Sequence, residues 1–289
     1  MNSSQIVYQP SVFGRMARIV MPLFQALLPA PIYKRVYDFA YNNYRKALRW
    51  SYWFHIILAY FSRDAKRILR ARMTKRLLPY TMGGRKALEN AFDVVALAEK
   101  RAIPGAIVEC GVAEGGTAAM MALVSIQYGS VKRPKWFFDS FEGLPEPTAE
   151  DYQNGKTGHF IRPLPKGSCL GTIDQVTDLL FNKLRLCQSE TQLVKGWFQD
   201  TIPGIREKVD KIAVLRLDGD WYESTKIPLE NFYPLVVQGG FVIIDDYATC
   251  FGSRKAVDEF RTLHRIESLL IPDGRGGAWF EKNDRKLRI

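Results

Sequence analysis

Short apolar runs, each followed by polar loop residues, recur along the C-terminal two thirds of the chain. They predict strands at 106–110, 135–138, 191–195, 212–217 and 241–244, because a short apolar run that ends in turn residues is typical of a strand buried on both faces. Helical spacing of apolar residues predicts helices at 86–100, 115–128, 173–183, 229–236 and 254–264. Short strands at 269–271 and 278–281 are expected to complete the sheet. This alternation predicts an α/β fold with a doubly wound, mostly parallel sheet.

The N-terminal part of the chain has a different pattern, in which aromatic and basic side chains alternate without strand-like runs. The first 86 residues contain sixteen Lys and Arg but only two acidic residues, whereas the remainder holds 25 basic and 28 acidic residues. A basic helix is expected over 65–78, and Pro79 ends it. We therefore divide the chain into a basic, aromatic-rich helical region, 1–79, and an α/β domain, 80–289.

Three interpretations of the basic region stay open. The first is a helical cap that packs on the rest of the chain or on a second copy, with its Lys and Arg solvated. The second is a surface that lies on anionic lipid, with Trp and Tyr at the interface. Nucleic-acid binding through phosphates is the least favoured, because no recognised nucleic-acid motif accompanies the charge.

Composition narrows the class of protein. The 47% hydrophobic and 12% aromatic content excludes a disordered chain. Four scattered cysteines without CxxC spacing indicate neither a zinc site nor a disulfide framework and fit a reducing compartment. Residues 16–31 resemble a signal peptide only weakly, since Arg18 and Pro22 interrupt them. We expect a cytoplasmic protein, with the inner face of the membrane as an alternative location.

Acidic residues follow two of the predicted strands. Asp218 and Asp220 come directly after strand 212–217, and Asp245 and Asp246 after strand 241–244. Ligands of open α/β sheets bind beyond the carboxyl ends of the strands. Carboxylates that converge there repel one another unless a cation lies between them. The pattern therefore predicts a hard divalent metal site, and the alternative is a set of ordinary loop acids.

The turn after the first strand contains Gly111, Gly115 and Gly116. Glycines there allow a ligand to approach the backbone at a helix N-terminus. The spacing is not GxGxxG, and Glu114 would repel a pyrophosphate, so a nucleoside ligand without phosphates is favoured over a dinucleotide; a tight turn with no ligand is the alternative. Asp139, which closes the second strand, is placed to accept hydrogen bonds from ribose hydroxyls or to cap a helix.

A polar segment rich in Gly and Pro, 142–168, is too long for a simple connection and is a candidate lid. It contains His159, which is a candidate for substrate contact. No nucleophile elbow and no P-loop occurs in the sequence.

Five motifs occur in a fixed order along the chain: Glu109–Gly116, Asp139–Pro145, Gly196–Pro203, Leu215–Thr225 and Asp245–Tyr247. Together they resemble the macrocin O-methyltransferase (TylF-type) family over about residues 80–282. The resemblance implies a Rossmann-like class I methyltransferase domain. It also implies an enzyme that uses S-adenosylmethionine and Mg²⁺ to methylate hydroxyls, typically on sugars of natural products.

The resemblance also assigns roles by position. Asp218, Asp245 and Asp246 would be the metal ligands, with Asp218 also the catalytic base. Ala113-Glu114 stands where a Trp-Arg pair is common in the family. The first 79 residues do not match the family, so the resemblance does not identify the substrate. Contacts to S-adenosylmethionine would come from Thr81, Met82, Glu109, Gly111, Glu114, Gly115, Gly116, Thr117, Asp139, Ser140, Gly196 and Trp197.

The expected function is Mg²⁺-dependent transfer of a methyl group from S-adenosylmethionine to a hydroxyl of a sugar or glycosylated small molecule. The alternative is a non-catalytic protein with a cofactor-binding fold that acts as a membrane-surface or assembly module. A nicotinamide oxidoreductase ranks third, because the glycine spacing fits a pyrophosphate poorly. A homo-oligomer is compatible with either of the first two.

Overall fold

The computed structural model describes residues 27–130, 132–158 and 166–283, together with residues 6, 20, 23 and 24. His159 and half of the stretch 16–31, which has a weak likeness to a signal peptide, lie outside the described residues. Within this part of the chain, no helix is both long enough and apolar enough to cross a membrane.

Seven strands form one sheet in the order β3-β2-β1-β4-β5-β7-β6. Strands β1 to β5 are parallel, and β7 runs antiparallel to both β5 and β6. The sheet confirms the predicted doubly wound, mostly parallel fold, and the strand order reverses between β1 and β4, which is where such sheets bind ligands. The strands are β1 (Ala106–Cys110), β2 (Lys135–Asp139), β3 (Thr191–Lys195), β4 (Ile212–Leu217), β5 (Val236–Ile244), β6 (Ile271–Pro272) and β7 (Ala278–Glu281).

Helices cover both faces of the sheet. The fifth helix continues as a π-helical turn, Asp178–Lys183, and short 3₁₀ segments follow the second and seventh helices, at Leu78–Tyr80 and Tyr233–Leu235. The helices are α1 (Ala30–Phe61), α2 (Ala65–Leu77), α3 (Gly84–Lys100), α4 (Gly116–Tyr128), α5 (Ile173–Thr177), α6 (Phe198–Val209), α7 (Tyr222–Phe232) and α8 (Phe251–Leu263).

Several predicted boundaries were wrong, including the strand expected at 269–271, which is Ile271–Pro272. The helix expected over 229–236 ends at Phe232, and Val236 already belongs to β5, which begins well before residue 241. Pro234 lies in the intervening 3₁₀ turn and cannot donate to a continuing helix. The first half of β5 was not predicted because it contains Gly239-Gly240, and glycine weakens the sequence pattern of a strand. Helix α6 was not predicted, since Pro203 and Gly204 lie inside it.

The N-terminal helices share a core with the sheet. Tyr52, Ile56 and Ala59 of α1 are buried in the same hydrophobic cluster as residues of α2, α3 and α4. Helix α2 begins at Asp64, whose Oδ1 accepts a hydrogen bond from the backbone N–H of Arg67 at 3.1 Å, as an N-cap residue does. The prediction of a helical N-terminal region is therefore confirmed for the described residues.

Candidate active site

Neighbouring strands β4 and β5 place their terminal acids side by side. Leu217 and Ile244 are register partners, and the N–H of Asp245 donates to the carbonyl of Leu217 at 2.9 Å. One carboxylate oxygen from each of Asp218, Asp245 and Asp246 lies within 4.8 Å of the other two. The structure thus brings together the three residues that the sequence proposed as metal ligands.

Asp246 has the features of a metal ligand. It is 4% exposed, and its Oδ1 accepts a hydrogen bond from the hydroxyl of Thr249 at 2.7 Å, whereas its buried Oδ2 has no partner among the described residues. Burial, reinforced by the neighbouring carboxylates, raises the pKa of Asp246 well above its usual range. Because buried carboxylate oxygens are normally hydrogen-bonded, an orphaned one beside two other carboxylates fits a hard cation such as Mg²⁺.

Asp220 extends the acidic site on its other side. Its carboxylate, that of Asp246 and the sulfur of Cys250 also lie within 4.8 Å of one another. The thiol of Cys250 donates to Oδ1 of Asp220 at 3.5 Å. Burial, with the charge of Asp218 second, raises the pKa of Asp220 to about 7. The site therefore holds a fourth carboxyl that can change protonation near neutral pH.

Arg216 neutralises part of this negative charge from inside β4. Its Nη1 donates to Glu109 Oε1 at 2.6 Å and to Asp218 Oδ2 at 2.8 Å, and its Nη2 donates to Asp245 Oδ1 at 2.7 Å. Burial opposes the charge of the guanidinium, but the three carboxylates outweigh it and raise the pKa of Arg216 further above its usual range. One cation thus fixes carboxylates from β1 and from the ends of β4 and β5.

Sequence reasoning missed this role for Arg216, although a signal was present. A single charge within an otherwise apolar, fully buried strand requires partners of opposite charge. The carboxylate of Glu109 is the partner from β1: it is fully buried, and burial raises its pKa to about 7. Glu109 therefore faces the acidic cluster through Arg216.

A second arginine, Arg275, reaches the site from the loop between β6 and β7. Its Nη2 donates to the backbone oxygen of Asp245 at 3.1 Å and pairs with the carboxylate of the same residue. Burial favours the neutral form of Asp245, but Arg275 and Arg216 outweigh it and hold its pKa at about 2. Each carboxylate oxygen has two lone pairs, so these bonds leave Asp245 able to ligate a metal.

The glycine turn after β1 packs directly against the acidic site. Gly111 has φ +96°, and a Cβ there would lie 1.9 Å from the backbone oxygen of Asp218. A Cβ on Gly116 would lie 2.5 Å from the carbonyl oxygen of Tyr80. The segment that contains Thr81 and Met82 therefore lies on the N-terminus of α4, next to Gly115–Thr117.

Asp139 links the end of β2 to the same turn. Its Oδ2 accepts hydrogen bonds from the N–H groups of Val112 and Ala113 at 2.7 and 2.9 Å, and its Oδ1 accepts one from Phe141 at 2.7 Å. Residues 140–148 form a loop, which excludes the helix-cap alternative. Since a carboxylate has about four lone-pair positions, these three bonds leave room for a hydroxyl.

The remaining proposed cofactor residues border this edge of the sheet. The N–H of Gly196 donates to the carbonyl of Asp139 at 2.9 Å, and Trp197 directly precedes α6. Ser140 is buried and accepts a hydrogen bond at its hydroxyl from the N–H of Glu142 at 3.1 Å. Gly171 packs on Ala113-Glu114, since a Cβ there would lie 1.8 Å from the carbonyl oxygen of Ala113.

The described parts of the predicted lid, 142–158 and 166–168, are tied to the domain. The N–H of Leu144 donates to Ser168 at 2.8 Å, and Nε1 of Trp221 donates to the carbonyl of Pro145 at 3.0 Å. The N–H of Tyr222 donates to the buried carboxylate of Asp151 at 2.6 Å. The middle of the segment, including His159, lies outside the described residues, so closure over substrate stays a prediction.

Comparison with known families connects this geometry to an activity. The family model of macrocin-O-methyltransferase (TylF) matches residues 46–282. The chain belongs to the TylF family of O-methyltransferases. The matched range begins at residue 46 and so includes the end of α1 and all of α2. The expectation that the first 79 residues do not match the family was therefore wrong for residues 46–79. Membership makes the protein an S-adenosylmethionine-dependent O-methyltransferase, which confirms the predicted enzyme class.

Three relatives of this TylF-family chain are named as O-methyltransferases. The demethyldecarbamoylnovobiocin O-methyltransferase of Streptomyces niveus is 35% identical over 203 residues, 70% of this chain and 76% of the relative. The 8-demethyl-8-(2,3-dimethoxy-alpha-L-rhamnosyl)-tetracenomycin-C 4'-O-methyltransferase of Streptomyces olivaceus is 37% identical over 201 residues, 69% and 75% of the two chains. The mycinamicin III 3''-O-methyltransferase of Micromonospora griseorubida is 31% identical over 208 residues, 71% and 79% of the two chains.

Solved structures confirm the Rossmann-like methyltransferase fold. The O-methyltransferase NovP superposes with a TM-score of 0.62 at 34% identity, covering 71% of this chain and 83% of its own. The calicheamicin methyltransferase CalS11 superposes with a TM-score of 0.57 at 21% identity, covering 76% and 95% of the two chains. At that identity, CalS11 supports the fold alone.

Proposed function

We propose that this O-methyltransferase is Mg²⁺-dependent and methylates a hydroxyl on the sugar of a glycosylated small molecule. The main support for a metal site is the buried Oδ2 of Asp246, which has no partner among the described residues and lies beside Asp218 and Asp245. Three carboxylates from the ends of two adjacent strands supply the oxygen ligands that Mg²⁺ prefers. Asp218, Asp245 and Asp246 are the proposed ligands.

The proposed cofactor site follows the adjoining edge of the sheet. Asp139 and Ser140 would hold the ribose, the Gly196-Trp197 turn would lie near the adenine, and the turn Glu109–Thr117 would surround the methionine part. Thr81 and Met82 would close the site from above α4. The bound cofactor supplies a methyl group on a cationic sulfonium, and Mg²⁺ supplies positive charge beside the acceptor oxygen.

Asp218 is the proposed base for the acceptor proton. Its side chain is 26% exposed, against 5% for Asp245, so it is the more accessible of the two. Arg216 holds Asp218 in place, and such orientation is what brings an acceptor oxygen in line with a methyl group. Asp220 is the alternative base, because it lies beside Asp246 at the same site.

The acceptor class rests on the relatives. One of them is named for a 4'-hydroxyl in a compound that carries a rhamnosyl group, and the family match covers the domain that holds both proposed sites. We also propose that the enzyme acts in the cytoplasm, since its four free cysteines suit a reducing compartment. The division at residues 79 and 80 is retained as a proposal about the catalytic unit.

Titration calorimetry and a transfer assay test the proposal. The full chain is expected to bind S-adenosylmethionine, and Mg²⁺ is expected to support transfer of labelled methyl to a panel of glycosides. Excess EDTA should abolish the transfer, and added Mg²⁺ should restore it. Full turnover in excess EDTA would refute the proposed dependence on Mg²⁺. Binding of S-adenosylmethionine without transfer to any hydroxyl acceptor would favour the non-catalytic alternative.

A further inference from the structure

The outer face of α1 carries large apolar side chains that contact solvent. Their exposed fractions range from 44% at Leu58 to 81% at Trp50. An α-helix turns by about 100° per residue, which places all of them within an arc of about 140°. We call this set the outer stripe: Trp50, Trp53, Phe54, Ile57, Leu58 and Phe61.

The outer stripe is additional to the face by which α1 packs on the protein. Tyr52, Ile56 and Ala59 are buried in the core shared with α2 and α3, on the opposite side of the helix. Scattered exposed apolar residues are common, but a contiguous row of aromatic and aliphatic side chains marks an interaction site. The stripe is therefore a surface that a partner would cover.

Exposed cations stand at both ends of the stripe. Lys46 lies one helical turn before Trp50, and Arg63 and Arg67 follow Phe61. The nearest acid in sequence, Asp64, is engaged as the N-cap of α2. A helix with Trp and Phe on one face and Lys and Arg beside them is typical of proteins that lie in the interface of an anionic bilayer.

Charge decides between a bilayer and a second copy of the chain. The first 86 residues hold sixteen basic and two acidic residues, so pairing two stripes would bring like charges together. Anionic headgroups offer the complementary charge. We propose that the outer stripe docks on bilayers containing anionic phospholipid, with its aromatic side chains at the headgroup boundary and Lys46, Arg63 and Arg67 against the phosphates.

Docking would also orient the catalytic domain. Nη2 of Arg49 donates to the carbonyl of Pro79 at 3.2 Å, directly before the segment Tyr80–Thr81 that lies on α4. Helix α1 is thus linked to the border of the proposed cofactor site, and a docked stripe would hold that site close to the lipid surface.

Co-sedimentation of the full chain with vesicles tests the docking surface. The protein is expected to sediment with phosphatidylcholine vesicles that contain phosphatidylglycerol, but not with phosphatidylcholine alone, and less so as salt is raised. The triple variant W50S/F54S/F61S should bind at least about tenfold more weakly. The matched control is Leu263→Ser, which removes a 76% exposed side chain from α8 and should bind like the wild type.

Thermal melts by circular dichroism should show that every variant in this test folds. The charge variant K46E/R63E should also lose binding. Wild-type binding by the triple variant or by the charge variant would overturn the proposal. Failure of the wild type to bind anionic vesicles at low salt would overturn it as well. A dimer that sedimentation equilibrium finds in the wild type and not in the triple variant, without vesicle binding, would assign the stripe to a second copy.

Discussion

Nη2 of Arg216 donates to Oδ1 of Asp245 at 2.7 Å, so that a buried cation on β4 fixes a proposed metal ligand at the end of β5. The same guanidinium bonds to Glu109 and Asp218. Three carboxylates are thus held at the switch point of the sheet by one residue that need not touch substrate. Arg216 is a positioning residue.

Removing that cation should destabilise the protein. Arg216→Met leaves the buried carboxylates of Glu109 and Asp245 and the partly exposed one of Asp218 without their shared partner. Breaking a buried ion pair costs about 3–5 kcal/mol. Urea unfolding should show this loss. Arg254→Met is the control, because its ion pair with Asp258 is at the surface and such pairs contribute about 1 kcal/mol or less. If Arg216→Met and the wild type unfolded at the same urea concentration, the stabilising role of the Arg216 ion pairs would be contradicted.

Asp246→Asn should change metal affinity and stability in opposite directions. The amide keeps the shape but removes a charge that lies beside two other carboxylates. Mg²⁺ affinity, measured by calorimetry, should fall about 100-fold or more, while affinity for S-adenosylmethionine stays the same. Without metal, the variant should unfold at a higher urea concentration than the wild type, since like-charge repulsion is relieved. A variant with unchanged Mg²⁺ affinity would remove Asp246 from the ligand set.

Two variants separate the possible bases. Asp218→Asn should lose both Mg²⁺ affinity and turnover, because the residue is proposed as ligand and base. If Asp218 is the base, Asp220→Asn keeps turnover within about tenfold, since losing a general base costs about 10²–10⁴ in rate. A larger loss of kcat in Asp220→Asn, with Mg²⁺ affinity retained, would transfer the role to Asp220.

Gly111→Ala should destabilise the junction between the two halves of the site. The new Cβ would lie 1.9 Å from the backbone oxygen of Asp218, at a residue with φ +96°. Strain at such a backbone position costs about 1–3 kcal/mol, and the steric overlap adds to it. Gly204→Ala is the matched control: nothing lies within 4 Å of its Cβ position in α6, so it should stabilise by about 0.5–1 kcal/mol. Urea denaturation of both variants provides the comparison.

The chain pattern alone determined the order of the central elements. Strand β1 and strand β3 were predicted with their observed ends, and helices α3 and α4 to within two residues at each end. These segments have periodic or continuous apolar side chains, which report burial directly. The pairing of Asp218 with Asp245 also followed from sequence, because parallel strands end at one edge of a sheet.

Local pattern failed where a residue's role depends on distant neighbours. The first half of β5 contains Gly239-Gly240. Val236 at its start is the register partner of Ile212 in β4, and the N–H of Gly239 donates to the carbonyl of Lys282, directly after β7. Arg275 was not singled out from the sequence, yet the turn around Asp273 directs it to Asp245.

The sequence thus determined most of the strands and helices of residues 80–289 and which acids end neighbouring strands, since these depend on side-chain periodicity and strand direction. Only the tertiary structure decided that Arg216 joins Glu109, Asp218 and Asp245, and that α1 buries Tyr52 while exposing Trp50. Hydrogen bonds and burial depend on distances between segments far apart in the chain. Packing of the sheet and helices fixes those distances, and the local pattern of residues does not encode them.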